Sequence, residues 1–172
     1  MDGSIQVYYG NGRGKTTAAL GLGIRAAGVG KQVIMVQFLK KKHSDTLDFL
    51  KKLEPELQIF RFEKAACGYS DLSPKEKQEQ MLNIKNALGY SRKVLDTGQC
   101  DLLILDEIFG LVDYNIITIE ELMDLIAVKK DSMDLILTGR NLPDEVREIA
   151  DCVYSIQREK EKTPEILAQG YF

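Results

Sequence analysis

Hydrophobic positions along the chain fall into short runs separated by amphipathic stretches. Ile5-Gln6-Val7-Tyr8-Tyr9, residues 32–37 (QVIMVQ), residues 57–62, Leu102-Leu103-Ile104-Leu105, residues 135–138 and residues 152–156 each have the length and β-rich content of a strand. The run from Leu102 to Leu105 is apolar at every position, as expected of a strand covered on both faces in a parallel sheet. Helical spacing fills the intervals. Residues 14–27 place Ala18, Ala19, Leu22 and Ala26 on one side, and Gly28 and Gly30 stop that helix. Residues 43–53 read as a second helix, with Pro55 after its end. A long third helix opens at Ser73, with Pro74 in its first turn and Glu76 completing a capping box, and runs to about Asp96 before Gly98. Residues 118–128 repeat the box with Thr118 and Glu121, and residues 143–150 make a short last helix. Residues 63–72 have no period and read as a loop. The tail from Gln157 is charged, then mildly apolar. This alternation predicts a single α/β domain over residues 1–172 with a mostly parallel sheet.

Composition narrows the class without naming a function. A chain of 172 residues with 44% hydrophobic and 28% charged positions buries a core without metals or disulfides as staples. The formal net charge of -3 leaves no general nucleic-acid footprint. Cys67, Cys100 and Cys152 are scattered, with no C-x-x-C pair. His43 is the single histidine, so no metal-ligand spacing appears and the expectation is free thiols in a reducing compartment. With no basic start before an apolar run, and no apolar run of membrane length, the expected location is the cytoplasm.

The chemistry begins where the first strand ends. Gly10-Asn11-Gly12-Arg13-Gly14-Lys15-Thr16-Thr17 sits between a strand and a helix, the setting of a phosphate-binding P-loop. Glycines permit the tight turn, and the amides of residues 12–17 can converge on one anion. The helix beginning near Gly14 adds its positive end. Lys15 supplies a full charge and Thr16 a hydroxyl for magnesium. The first glycine of the strict G-x-x-x-x-G-K-[ST] pattern falls on Tyr9, so the motif is shifted. Asp106-Glu107 ends the buried strand, where such proteins place their metal partner. Thr138-Gly139-Arg140 ends another strand; Arg140 either touches a phosphate or caps a turn. The Lys40-Lys41-Lys42 run follows a strand and either touches an anionic substrate or, as such runs more often are, is simply solvated; the 158–162 stretch is expected to face solvent, and His43 to be structural or superficial. Taken alone, these residues give Mg-ATP binding. Glu107 could orient a water for hydrolysis.

The blocks G-N-G-R-G-K-T-T-A-A-L-G-L-G-I-R-A-A-G (10–28), V-I-M-V-Q-F-L-K (33–40), L-L-I-L-D-E-I (102–108) and L-T-G-R-N-L-P (137–143) resemble, in order, the P-loop family of ATP:corrinoid adenosyltransferases. Ile166-Leu167-Ala168-Gln169-Gly170 is similar to that family's end, so the likeness spans nearly the whole chain. It implies a three-layer RecA-like P-loop fold and a homodimer. It also implies ATP used as an alkyl donor and bound turned round in the loop. Co(I) of a reduced corrinoid attacks the 5′ carbon, triphosphate leaves, and adenosylcobalamin or a related adenosylcorrinoid forms. An electron donor must then supply Co(I) from Co(II). Lys15, Thr16, Thr17 and the loop amides would hold the triphosphate, and Thr16 with Glu107 and Asp106 the magnesium. Arg25 matches an arginine near the nucleotide. The family's corrinoid loop usually reads like G-F-T-W; here Gly68-Tyr69-Ser70-Asp71 puts Tyr69 at the phenylalanine and Asp71 at the tryptophan, in a chain without tryptophan. Tyr69, or Phe60 and Phe62, would then serve the corrinoid. The first strand lies close to Met1, so the N-terminal extension of some members is not expected. The rival readings are a RecA-like ATPase or kinase and a non-catalytic nucleotide-binding partner.

Overall fold

The fold was analysed from a computed structural model, which describes residues 2–40, 50–62 and 69–160. Six strands, β1 (Ile5–Tyr9), β2 (Val33–Gln37), β3 (Leu57–Arg61), β4 (Leu102–Asp106), β5 (Asp134–Gly139) and β6 (Cys152–Ser155), form one sheet in the order β3-β2-β4-β5-β1-β6. All five neighbouring pairs are parallel, so the sheet is fully rather than mostly parallel. The helices are α1 (Lys15–Ala27), α2 (Pro74–Thr97), α3 (Ile108–Asp113), α4 (Ile119–Ala127) and α5 (Asp144–Ile149).

Strand alternation sorts the core into two layers. Val33, Met35, Leu102, Ile104 and Ile136 face α1 and pack with Ala19. Ile34, Val36, Leu103, Leu105, Leu135 and Leu137 face the other way, onto Ile84, Ala87, Val94 and Leu95 of α2 and Leu122, Leu125 and Ile126 of α4. Each such Leu, Ile or Val contributes about 1.5–3 kcal/mol by leaving water. Every residue of β2 and β4 is buried, which explains why neither alternates polar with apolar in sequence.

Both capping boxes form. Ser73 Oγ accepts from the Glu76 amide and the Glu76 carboxylate accepts from the Ser73 amide; Thr118 and Glu121 repeat the exchange. Gly98 closes α2 at φ 66. Two expectations change. Helix α3 was not expected: it follows directly on Glu107, which takes φ 62 at its start in place of a conventional cap. Within the helix expected over 43–53, residues 43–49 lie outside the described residues, and Lys51–Leu53 is a single 3-10 turn.

Candidate functional site

The P-loop is shaped by glycine geometry and by two other parts of the chain. Gly10 and Gly14 take φ 122 and 106, a region nearly closed to side chains. The Gly10 amide donates to the Arg140 carbonyl at 3.0 Å, tying the turn to the end of β5. The segment after β6 then crosses the loop. Gly12 N–H donates to the Ile156 carbonyl at 2.8 Å, Ile156 N–H to the Tyr9 carbonyl at 2.7 Å, and Arg158 N–H to Asn11 Oδ1 at 3.0 Å. A Cβ at Gly10 or Gly12 would run into the Ile156 carbonyl. One expectation is corrected here: the Gly12 amide binds this strap, not an anion. Past Gly14, the first intrahelical bond is Ala18 N–H to Gly14 O at 2.8 Å, which leaves the amides of Lys15, Thr16 and Thr17 without an intrahelical acceptor. Arg13 and Thr17 are exposed beside them.

Lys15 folds back over the loop, its Nζ donating to the Gly10 carbonyl at 2.7 Å and the Gly12 carbonyl at 2.8 Å. Burial pulls its pKa below the ordinary lysine value; the Glu107 charge opposes this, while Lys40 and Arg140 add to it. Several charged groups therefore surround one small space.

At its centre is Asp106, fully buried at the end of β4. Its Oδ1 accepts from Thr138 Oγ1 at 2.7 Å and from Thr16 Oγ1 at 2.9 Å. Its Oδ2 accepts from Gln37 Nε2 at 3.0 Å and faces Lys40 Nζ at 3.5 Å. Sheet order explains the convergence. Because β5 lies between β1 and β4, Thr138 stands between the P-loop strand and Asp106. Register places Gln37 opposite both Asp106 and Arg61, so the row continues as Arg61 Nε donates to Gln37 Oε1 at 2.6 Å. Burial lowers the Arg61 pKa and the Asp106 charge counters it. Thr138 also accepts from the Glu107 amide at 2.8 Å, which holds the turn that aims Glu107.

Of the residues singled out in sequence, Lys15, Thr16, Asp106, Glu107 and Arg140 gather at this edge; the Arg140 side chain is exposed. Arg25 does not join them. It is exposed in the last turn of α1, ten residues and about 15 Å of helix from Lys15. Tyr69 is half-buried in a 3-10 turn (Tyr69–Asp71), its ring 5.3 Å from that of Tyr114 just past α3 and 5.8 Å from Lys77 Nζ. Phe60 and Phe62 pack instead on Tyr90, with centroids 4.9 and 5.8 Å away. Lys40 is another correction: it is half-buried on Asp106 rather than solvated. Lys41, Lys42, His43, Cys67 and Gly68 fall outside the described residues. Sequence reasoning missed Gln37 and Thr138 as partners of Asp106, and Arg61 behind Gln37. The available signal was a polar residue closing an otherwise apolar strand at the same sheet edge. Thr16, Asp106 and Glu107 offer the hard oxygen donors that suit magnesium, which binds through one or two carboxylates plus substrate phosphates. Among the described residues no three His, Cys, Asp or Glu side chains are grouped so as to hold a metal ion.

Comparison with known proteins adds a family and a fold. The sequence profile described as ATP:corrinoid adenosyltransferase BtuR/CobO/CobP matches residues 1–169. The corrinoid adenosyltransferase of Escherichia coli K12 is 30% identical over 155 residues, 90% of this chain and 76% of that protein. Corrinoid adenosyltransferase CobA of Salmonella typhimurium gives the same identity and coverage. Among solved structures, a KaiC-like protein of Pyrococcus horikoshii superposes with a TM-score of 0.64 at 20% identity, covering 94% of this chain and 75% of that one, a likeness of RecA-type fold alone.

Proposed function

We propose that this chain, which belongs to the ATP:corrinoid adenosyltransferase family, moves the 5′-deoxyadenosyl group of ATP onto Co(I) of a reduced corrinoid and releases triphosphate. The electron pair of Co(I) forms the bond to the 5′ carbon as the carbon–oxygen bond breaks, and that bond's electrons leave on the triphosphate. No proton need move at the reacting carbon, so the protein's contribution is placement and neutralisation of a polyanionic leaving group.

The observation that carries this reading is the convergence of Lys15, Thr16, Asp106 and Thr138 beneath the open amides of α1. Lys15, Thr16 and Thr17 would bind triphosphate oxygens, with Arg13 and Arg140 at the rim. Thr16, Asp106 and Glu107 would hold magnesium, which when bound offsets triphosphate charge. Asp106 fixes the Thr16 hydroxyl, and Thr138 fixes Asp106 and the Glu107 turn together. Tyr69 stands where the family pattern has its phenylalanine, and we assign it to the corrinoid. Arg25 lies too far along α1 to reach this chain's own loop. A homodimer, an electron donor for Co(II) and a cytoplasmic location complete the proposal; no helix among the described residues is long and apolar enough to cross a membrane.

The test is the fate of ATP in an anaerobic reaction with chemically reduced cobalamin. Triphosphate appearing with a light-sensitive adenosylated corrinoid is the expected result. ADP and phosphate with unchanged corrinoid would overturn it in favour of a hydrolase using Glu107 to orient water.

A further inference from the structure

Lys40 lies beyond the P-loop motif and the acidic pair, yet its ammonium occupies the space between them. Its Nζ donates to Thr16 Oγ1 at 3.2 Å and stands 3.5 Å from Asp106 Oδ2. The other hydrogen-bond donors the structure gives Asp106, from Thr16, Gln37 and Thr138, are neutral. Lys40 therefore faces the buried carboxylate with a full positive charge.

The backbone is bent to bring it there. The Phe38 amide is held by the Asp106 carbonyl at 2.9 Å, and the next residue, Leu39, takes φ 54. A leucine in the left-handed region is a strained outlier, costing about 1–3 kcal/mol, and such strain persists where surrounding structure imposes it. Here the restraint is close packing: the Leu39 side chain passes so near Gly110 of α3 that a Cβ there would meet Leu39 Cδ1 at 2.6 Å. The turn at Leu39 carries the chain back over the sheet edge and delivers Lys40 to Thr16.

Thr16 Oγ1 gives its one proton to Asp106 and accepts from Lys40. The oxygen keeps a second lone pair, but a divalent cation ligated there would share it with the ammonium, and two cations on one oxygen repel beside a fully buried carboxylate. We propose that Lys40 is the resident cation of the Thr16–Asp106 seat, that it yields the seat to the metal arriving with ATP, and that it then lays its own charge on the triphosphate. This rests on the proposed role of Thr16 as a metal ligand in adenosyl transfer. It adds a second lysine to the leaving group, opposite Lys15. The lysine stem is long and flexible, and a 30% exposed side chain has room to swing.

The experiment measures binding by the full-length protein, apart from turnover. Manganese(II) binding without nucleotide is followed by electron paramagnetic resonance, and magnesium tripolyphosphate binding by calorimetry, for wild type, Lys40→Met, Lys40→Arg and Thr16→Val. Lys40→Met is expected to bind manganese about tenfold more tightly and tripolyphosphate about tenfold more weakly, while Lys40→Arg stays near wild type for manganese. Opposite shifts are the signature, since a merely distorted loop weakens both. Manganese binding lost in Thr16→Val but equal in Lys40→Met and wild type would overturn the role of Lys40 while leaving the metal seat standing. Manganese binding that survives Thr16→Val would remove the seat itself, and the proposal with it.

Discussion

Replacing Thr138 with valine keeps its shape and deletes one hydroxyl from the interior of the sheet edge. That hydroxyl is fully buried and makes two hydrogen bonds, donating to Asp106 Oδ1 at 2.7 Å and accepting from the Glu107 amide at 2.8 Å. Losing a hydrogen bond to a carboxylate costs about 1.5–3 kcal/mol, and a backbone amide left without its acceptor costs about 1–3 kcal/mol. Partial relaxation of the Glu107 turn brings the expected sum to about 3 kcal/mol. For a chain of this length each kcal/mol moves the melting temperature by about 2–4 °C, so Thr138→Val should melt about 6–12 °C below wild type. Thr138→Ser keeps the hydroxyl and loses one methyl group, at a cost of about 1 kcal/mol. Urea unfolding followed by far-ultraviolet circular dichroism gives both values, with equal m-values as the check on two-state behaviour. Thr138→Val within 1 kcal/mol of wild type, or Thr138→Ser as damaging as the valine, would refute the argument, because packing rather than the hydroxyl would then be what matters.

The remaining predictions use other parts of the molecule. Burial raises the Cys100 thiol to about 12, and an unfolded cysteine ionises near 8.5. The stability this group contributes is therefore complete below about pH 8.5 and lost as pH rises toward 12. Cys100→Ala should lose less stability than wild type between pH 8 and pH 10.5 in urea melts; parallel losses would contradict the burial argument. Gly10→Ala forces a Cβ into the Ile156 carbonyl at φ 122, so fluorescent ATP analogues should bind at least tenfold more weakly. Unaltered affinity would mean the strap over the loop is not needed for the site. Tyr69→Ala should slow turnover from cob(II)alamin plus reductant more than turnover from preformed Co(I); equal slowing would count against Tyr69 acting on the corrinoid before its reduction.

How much of this was readable beforehand depended on the range of each interaction. The boxes at Ser73-Glu76 and Thr118-Glu121 are settled within four residues, and both formed where expected. The P-loop was visible for the same reason: Gly10 and Gly14 mark where the backbone must take positive φ. Helix α3 escaped notice because its six residues, I-F-G-L-V-D, continue an apolar stretch and carry no capping residue; Glu107 opens it in a left-handed conformation instead. The partners of Asp106 were hidden more deeply. Gln37 and Thr138 reach it only through strand order and register, which relate residues 32 to 69 positions apart. Lys40 reads as one of three consecutive lysines, and the turn at Leu39 that carries it to Asp106 leaves no mark in the sequence.

The bond between Asn11 and Arg158 spans 147 residues. During synthesis the loop that receives ATP leaves the ribosome 147 residues ahead of the Arg158 amide that clamps its Asn11. Chains of this kind gain their non-local contacts late, after the entropy of closing long loops has been met. A nascent chain halted before residue 152 carries the whole glycine motif and neither strand β6 nor the clamp behind it. Competence to hold nucleotide therefore waits for the clamp, and products cut short of it carry the recognisable motif without the means to hold it in shape.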